Sequence, residues 1–136
     1  MSLQHEPLQH GPIVNAAMPK PLGPYSQVVG VGNLLFVSGQ AGVNPATGNA
    51  AGESFEEQAR QAFENLSVVL QAAGSSLGDV VKTTVFCADA AAFATLNRLY
   101  AEFFSENPPA RSTPIVQLPR GLLVSIECIA VRSDQP

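Results

Sequence analysis

The chain has 136 residues, of which 46% are apolar and 13% charged, and a formal net charge of −4. That is the size and balance of one globular domain with its own hydrophobic core. The acidic balance argues against a phosphate-tracking surface, which calls for a basic stripe, and the absence of any apolar run of about 18 residues argues against a membrane span.

The opening residues, with Gln4, His5, Glu6, Gln9 and His10, are polar and lack the basic start and apolar centre of a signal peptide. Residues 1–12 read as a flexible tail, and 13–136 as a single domain in a cytoplasmic protein. Residues 13–26, pinned by Pro19, Pro21 and Pro24, read as a short strand followed by an extended segment. Two strand-like runs, 27–31 and 34–38, flank Gly32-Asn33, which is a hairpin signal. Residues 39–53 carry five glycines or prolines and read as loop.

Ser54 and Glu57 have capping-box spacing, and Phe55, Ala59, Ala62, Phe63, Leu66, Val69, Leu70 and Ala73 follow the helical period up to Gly74. A strand with β-branched bias spans 80–87. A second helix is expected from about Ala90 to Glu106, with Phe93, Leu96, Tyr100, Phe103 and Phe104 on one side. Two last strands, roughly 113–118 and 122–131, flank Pro119-Arg120-Gly121. Two helices can cover only one face of such a sheet, yet the final strand is apolar on both faces. A large bare apolar face is not tolerated in a soluble monomer, so a second copy of the chain is expected to cover it.

His5 and His10 are the only histidines and both lie in the tail. This counts against Ser-His-Asp and Cys-His nucleophile systems and against histidine-bound metal; no metal site is expected. Cys87 and Cys128 fall in strand-like runs far apart in sequence, and two buried free thiols are favoured over a disulfide.

Arg111 follows Pro108-Pro109, which stop the second helix, and sits on a stiff connection leading into a strand. Its fork can hold a carboxylate through two parallel hydrogen bonds; the bland alternative is a structural salt bridge, including one to a carboxylate across the oligomer interface. Glu127 interrupts an apolar strand whose face-mates are Leu123, Ser125, Ile129 and Val131. Such a carboxylate needs a partner or a task. It is either a general acid/base, made a readier proton shuttle by partial burial, or a structural group satisfied by Ser125 or Arg111. Together the two residues point to a small acidic ligand with water chemistry beside it. Lys82, with strand neighbours Val80, Thr84 and Phe86, reads as a strand-edge or snorkelling lysine rather than a Schiff-base nucleophile.

Several stretches in register resemble the RidA family, also called YjgF or L-PSP proteins. They are Gly23-Pro24-Tyr25-Ser26-Gln27, Ser38-Gly39-Gln40, Asn65-Leu66, Asn97 followed by Tyr100, Pro109-Ala110-Arg111-Ser112, and Ile126-Glu127-Cys128-Ile129-Ala130. The resemblance spans about residues 13–132. It implies a chorismate-mutase-like α+β fold, with a mixed sheet of about six strands and two helices on one face, assembled as a homotrimer with clefts between subunits. It further implies hydrolysis of enamines and imines, such as 2-aminoacrylate and 2-iminopropionate, to 2-keto acids and ammonia. The activity needs no cofactor and protects pyridoxal-phosphate enzymes.

On that pattern Arg111 clamps the substrate carboxylate and Glu127 handles protons and water. Tyr25, Ser38, Gly39, Asn97 and Thr113 shape the cleft and bind substrate. Thr113 stands where many relatives carry cysteine, so thiol chemistry at that position is not expected. Rival readings are a non-catalytic trimer that binds 2-keto acids and, against the charge balance, an endoribonuclease.

Overall fold

The computed structural model describes residues 10–132. It is an α+β fold with a six-stranded sheet and two helices, as expected. The strands are β1 (His10–Pro12), β2 (Val28–Val31), β3 (Leu34–Ala41), β4 (Val80–Cys87), β5 (Ala110–Ser112) and β6 (Val124–Val131); the helices are α1 (Phe55–Ala72) and α2 (Phe93–Phe103). The sheet order is β1-β2-β3-β6-β4-β5, antiparallel throughout except for the parallel pair β4 and β5.

This order explains why both helices lie on one face. The connections β3-α1-β4 and β4-α2-β5 are crossovers that step in the same direction along the sheet. Such crossovers share one hand, so successive ones stack their helices on the same side. The remaining strand, β6, inserts antiparallel between β3 and β4.

Local chemistry fixes the element ends. The Ser54 hydroxyl accepts from the Glu57 backbone N–H (3.1 Å) and a Glu57 carboxylate oxygen accepts from the Ser54 N–H (3.3 Å), completing the capping box. Gly74, at φ 82°, turns the chain away after α1. The β2–β3 hairpin carries Gly32 at φ 57° in the first turn position, the arrangement of a type II′ turn.

Four expectations shift. The first strand lies at His10–Pro12, paired with Val29–Val31, so the tail does not extend through residue 12; residues 1–9 lie outside the described residues. Strand β3 runs on to Ala41 because its ladder with β6 continues past Ser38-Gly39, so 39–53 is not all loop. Helix α2 stops at Phe103, and Asn107 turns the chain at φ 48° before the proline pair. The strand expected at 113–118 is β5 at Ala110–Ser112, with one further bridge from Cys87 to Ile115. Arg111 therefore sits inside an edge strand, held by parallel pairing to Thr83, rather than on a connection before one.

The core lies between the helices and one sheet face. Phe63, Leu66 and Leu70 of α1 and Leu96 and Leu99 of α2 are fully buried against Leu35, Val85, Val124 and Ile126. Phe63 is the hub: it meets Tyr100, Phe103 and Phe104 edge-on, with centroids 6.0, 5.2 and 6.4 Å away. Both cysteines are buried and free. No helix among the described residues is long and apolar enough to cross a membrane.

The other sheet face is left uncovered by the described residues. Cross-strand register sets Val31 beside Leu34 and Val131, and Val29 beside Phe36, Ile129 and Lys82. Phe36 is 41% exposed and Leu34 38%. The bare apolar face anticipated from the two-sided pattern of the last strand is thus present.

Candidate functional site

Glu127 projects from β6 onto the open sheet face, beside Thr84 of β4. On its other flank the ladder shifts register. Val37 pairs with Cys128 and Gln40 with Ile126, so Ser38 and Gly39 together oppose the single residue Glu127. This two-against-one count is a β-bulge, a device that bends a strand and re-aims its groups. Gly39 keeps the bulge close to β6: a Cβ there would lie 2.9 Å from the Ser125 hydroxyl, which would have to rotate away. The Ser38 hydroxyl donates to the Ser26 carbonyl (2.6 Å), tying the bulge to the segment before β2.

Glu127 is exposed in the chain and makes no hydrogen bond or ion pair among the described residues. The partial burial expected for it is not supplied by the described residues, because its face-mates lie on the uncovered side. Neither Ser125 nor Arg111 satisfies it.

Arg111 is elsewhere. Its cross-strand partner Thr83 faces the core, and the Thr83 hydroxyl meets the Tyr100 hydroxyl at 2.7 Å. The Arg111 side chain goes to the helix side of the sheet edge. One guanidinium N–H group donates to Asn97 Oδ1 (2.7 Å), and the guanidinium carbon stands 4.7 Å from the Tyr100 ring centroid and 5.6 Å from that of Phe93. Stacking on two rings with one amide anchor fixes the fork. Burial pushes the Tyr100 hydroxyl above its ordinary range, against the pull of Thr83 and the Arg111 charge. No carboxylate pairs with Arg111: the salt bridges of the described residues involve Arg60 and Arg98 with Glu56 and Glu102. Thr113 follows directly after β5, half-buried beside Pro114, whose carbonyl accepts from the Cys87 N–H (3.0 Å).

The named residues thus form two groups. Ser38, Gly39 and Glu127 meet at the bulge on the open face; Arg111, Asn97 and Thr113 gather near the β5 edge. Tyr25 belongs with the first group. It walls a cleft of about 1010 Å³ that runs from Gly39, Gln40 and Ser125 past Gln27 to the 118–122 loop. The Tyr25 hydroxyl accepts from the Leu22 N–H (3.3 Å). Sequence reading missed Ser125 and Gln40 as neighbours of the bulge, although Ser125 is a period-two face-mate of Glu127. Gln40 is buried and donates to Gln27 Oε1 (2.8 Å) and the Ser38 carbonyl (3.0 Å), so it braces the cleft wall.

A family model described as Endoribonuclease L-PSP matches residues 15–132. A RutC family protein of Pyrococcus horikoshii is 45% identical over 115 residues, 84% of this chain and 91% of its own length. A Salmonella typhimurium protein named 2-iminobutanoate/2-iminopropanoate deaminase is 46% identical over 118 residues, covering 84% and 91% of the two chains. The crystal structure of Escherichia coli TdcF with bound serine is similar at a TM-score of 0.83 and 42% identity, over 90% of this chain and 99% of that one. Fold, signature stretches and relatives agree: this chain belongs to the L-PSP family, the RidA/YjgF group that its motifs resemble.

Proposed function

We propose that this protein is an enamine and imine deaminase that hydrolyses 2-aminoacrylate and 2-iminopropionate to the 2-keto acid and ammonia. The observation that carries the reading is Arg111, a guanidinium set over the Tyr100 ring and anchored by Asn97, yet paired with no carboxylate among the described residues. A fixed cation without a counter-ion suits a substrate carboxylate better than it suits a structural ion pair. Deaminase names among the relatives support the reaction, and the relative with bound serine supports a small ligand bearing a carboxylate.

Arg111 and Glu127 are on different faces of one chain, so the working site is completed between copies. A second copy seated on the open face would bury Glu127 and bring an Arg111 group to the bulge; a homotrimer with inter-subunit clefts meets this need. Arg111 then holds the carboxylate of the imine. 2-Aminoacrylate enters as its imine tautomer, and water adds to the C=N carbon of the protonated imine as Glu127 takes one water proton, giving a neutral carbinolamine. Glu127 returns that proton to nitrogen, the C–N bond breaks to release ammonia, and the hydroxyl proton passes to Glu127 as the ketone forms. Held orientation and one proton shuttle supply the acceleration. The free thiols fit a cytoplasmic setting.

The test generates 2-iminopropionate in place with an amino-acid oxidase and traps what remains with semicarbazide. Wild type should speed imine loss, and Arg111→Ala and Glu127→Ala should not. Equality of wild type with the enzyme-free control over several imines refutes the reading. Salt-dependent RNA binding and cleavage by the same preparation would favour the nuclease alternative, which the net charge of −4 disfavours.

A further inference from the structure

The cleft that begins at the bulge has an unusual charge make-up. The described residues lining it include two cations, Lys20 and Arg120, and no acidic side chain, in a protein with 11 acidic and 7 basic residues. Most of the remaining wall is apolar, including Met18, Val43, Val68 and Leu122. A low-dielectric wall strengthens the attraction of its few charges for an anion. The volume, about 1010 Å³, is also far more than an imine with a methyl side chain can fill.

Arg120 is built into this wall. It holds a left-handed backbone conformation (φ 62°, ψ 18°) that a side chain rarely adopts, and Gly121 beside it is at φ 69°. From there its guanidinium crosses to the 44–49 turn and donates one N–H to the Gly48 carbonyl (2.8 Å). No carboxylate pairs with it among the described residues, and its other donors are left for a ligand. Within the same cleft, Asn65 spends its amide N–H groups on the Ala41 and Val43 carbonyls (3.1 and 2.8 Å) and so cannot serve an anion.

We infer that the cleft receives a second anionic group at the far end of the substrate, with Arg120 as its specificity-determining residue and Lys20 as a supporting charge. The substrate class is then the dicarboxylic 2-imino acids, such as 2-iminoglutarate, in addition to short monocarboxylic ones. This rests on the deaminase reading: Arg111 takes the α-carboxylate, the bulge faces the imine carbon, and Arg120 takes the distal carboxylate by a two-pronged hydrogen bond.

The experiment has a binding arm and a turnover arm on the intact protein. Calorimetric titration with 2-oxoglutarate and with pyruvate compares wild type, Arg120→Gln and Arg111→Ala. Semicarbazide trapping compares 2-iminoglutarate with 2-iminopropionate. Arg120→Gln should weaken 2-oxoglutarate binding roughly 10- to 100-fold and raise the KM for 2-iminoglutarate by a like factor. It should change pyruvate binding and 2-iminopropionate turnover by less than about threefold, within the loss of one hydrogen bond. Equal effects on both ligand sizes, or none, overturn the assignment even if the protein is an active deaminase. Loss of all imine turnover with 2-oxoglutarate selectivity intact would instead sink the deaminase reading and keep the dianion site.

Discussion

Replacing Arg111 with lysine keeps the charge and removes the fork, which makes it a sharper probe than alanine. A guanidinium gives a carboxylate two charge-assisted hydrogen bonds, each worth about 1.5–3 kcal/mol net, and lysine retains roughly one of them. The ammonium also loses the guanidinium's position over the Tyr100 ring at 4.7 Å and the defined anchor at Asn97, so it is less well aimed. Transition-state stabilisation should fall by about 2–3 kcal/mol, or roughly 30- to 160-fold in kcat/KM for 2-iminopropionate. Stability should change little, because Arg111 lies on an edge strand and its ring contacts are worth about 0.5–1 kcal/mol at such sites, a Tm shift of about 4 °C. Semicarbazide-trap kinetics and a thermal melt on the same samples separate the two effects. Retention of kcat/KM within about threefold would show that Arg111 acts only as a point charge, and the clamp argument would be wrong.

Three other expectations follow from packing and burial. Burial, with a smaller push from Glu127, raises the Cys128 thiol from 9.0 to about 12; the unfolded chain therefore ionises first. Its contribution to stability should be full below pH 9 and decline from there towards pH 12, at up to about 1.4 kcal/mol per pH unit, read by urea titrations of wild type against Cys128→Ala. Phe36→Glu puts a charge on the open apolar face and should convert the proposed assembly to monomers by light scattering, whereas an unchanged mass would mean that this face is not the contact. Phe63→Ala empties the centre of the aromatic cluster and should cost about 3–5 kcal/mol in chemical denaturation; a loss below about 1 kcal/mol would contradict the packing described.

Local signals in the sequence carried the regular elements. The Ser54–Glu57 box, the 3.6-residue stripe after it and the two-residue Gly32-Asn33 turn depend on near neighbours, so their positions could be read directly. The face of Glu127 was legible for the same reason, since alternation along β6 is local. Its exposure was not, because it depends on which elements pack over that face, and none of the described ones does. The displacement of β5 to Ala110–Ser112 has a similar origin: parallel pairing to Thr83 decides it, and the apolar character of 113–118 gives no hint of that partner. The grip of Asn97 on Arg111 joins a helix to a strand 14 residues on, a tertiary contact that spacing cannot specify. The left-handed Arg120 has no sequence signal at all; Gly121, next to it, carries the signal instead.

The bulge at Ser38-Gly39 also bears on how this sheet keeps structure and chemistry apart. Before it, the core-facing positions of β3 are Leu35 and Val37; after it, the buried side passes to Gln40. The switch from odd to even positions means that β3 contains one residue more than β6 needs as a partner. A strand one residue shorter at this point would still pair Val37 with Cys128 and Gln40 with Ile126 in an unbroken ladder, with the same core beneath. The surplus residue is more than pairing with β6 demands, and the length of a single strand, counted against its neighbour, marks where the sheet departs from a plain ladder.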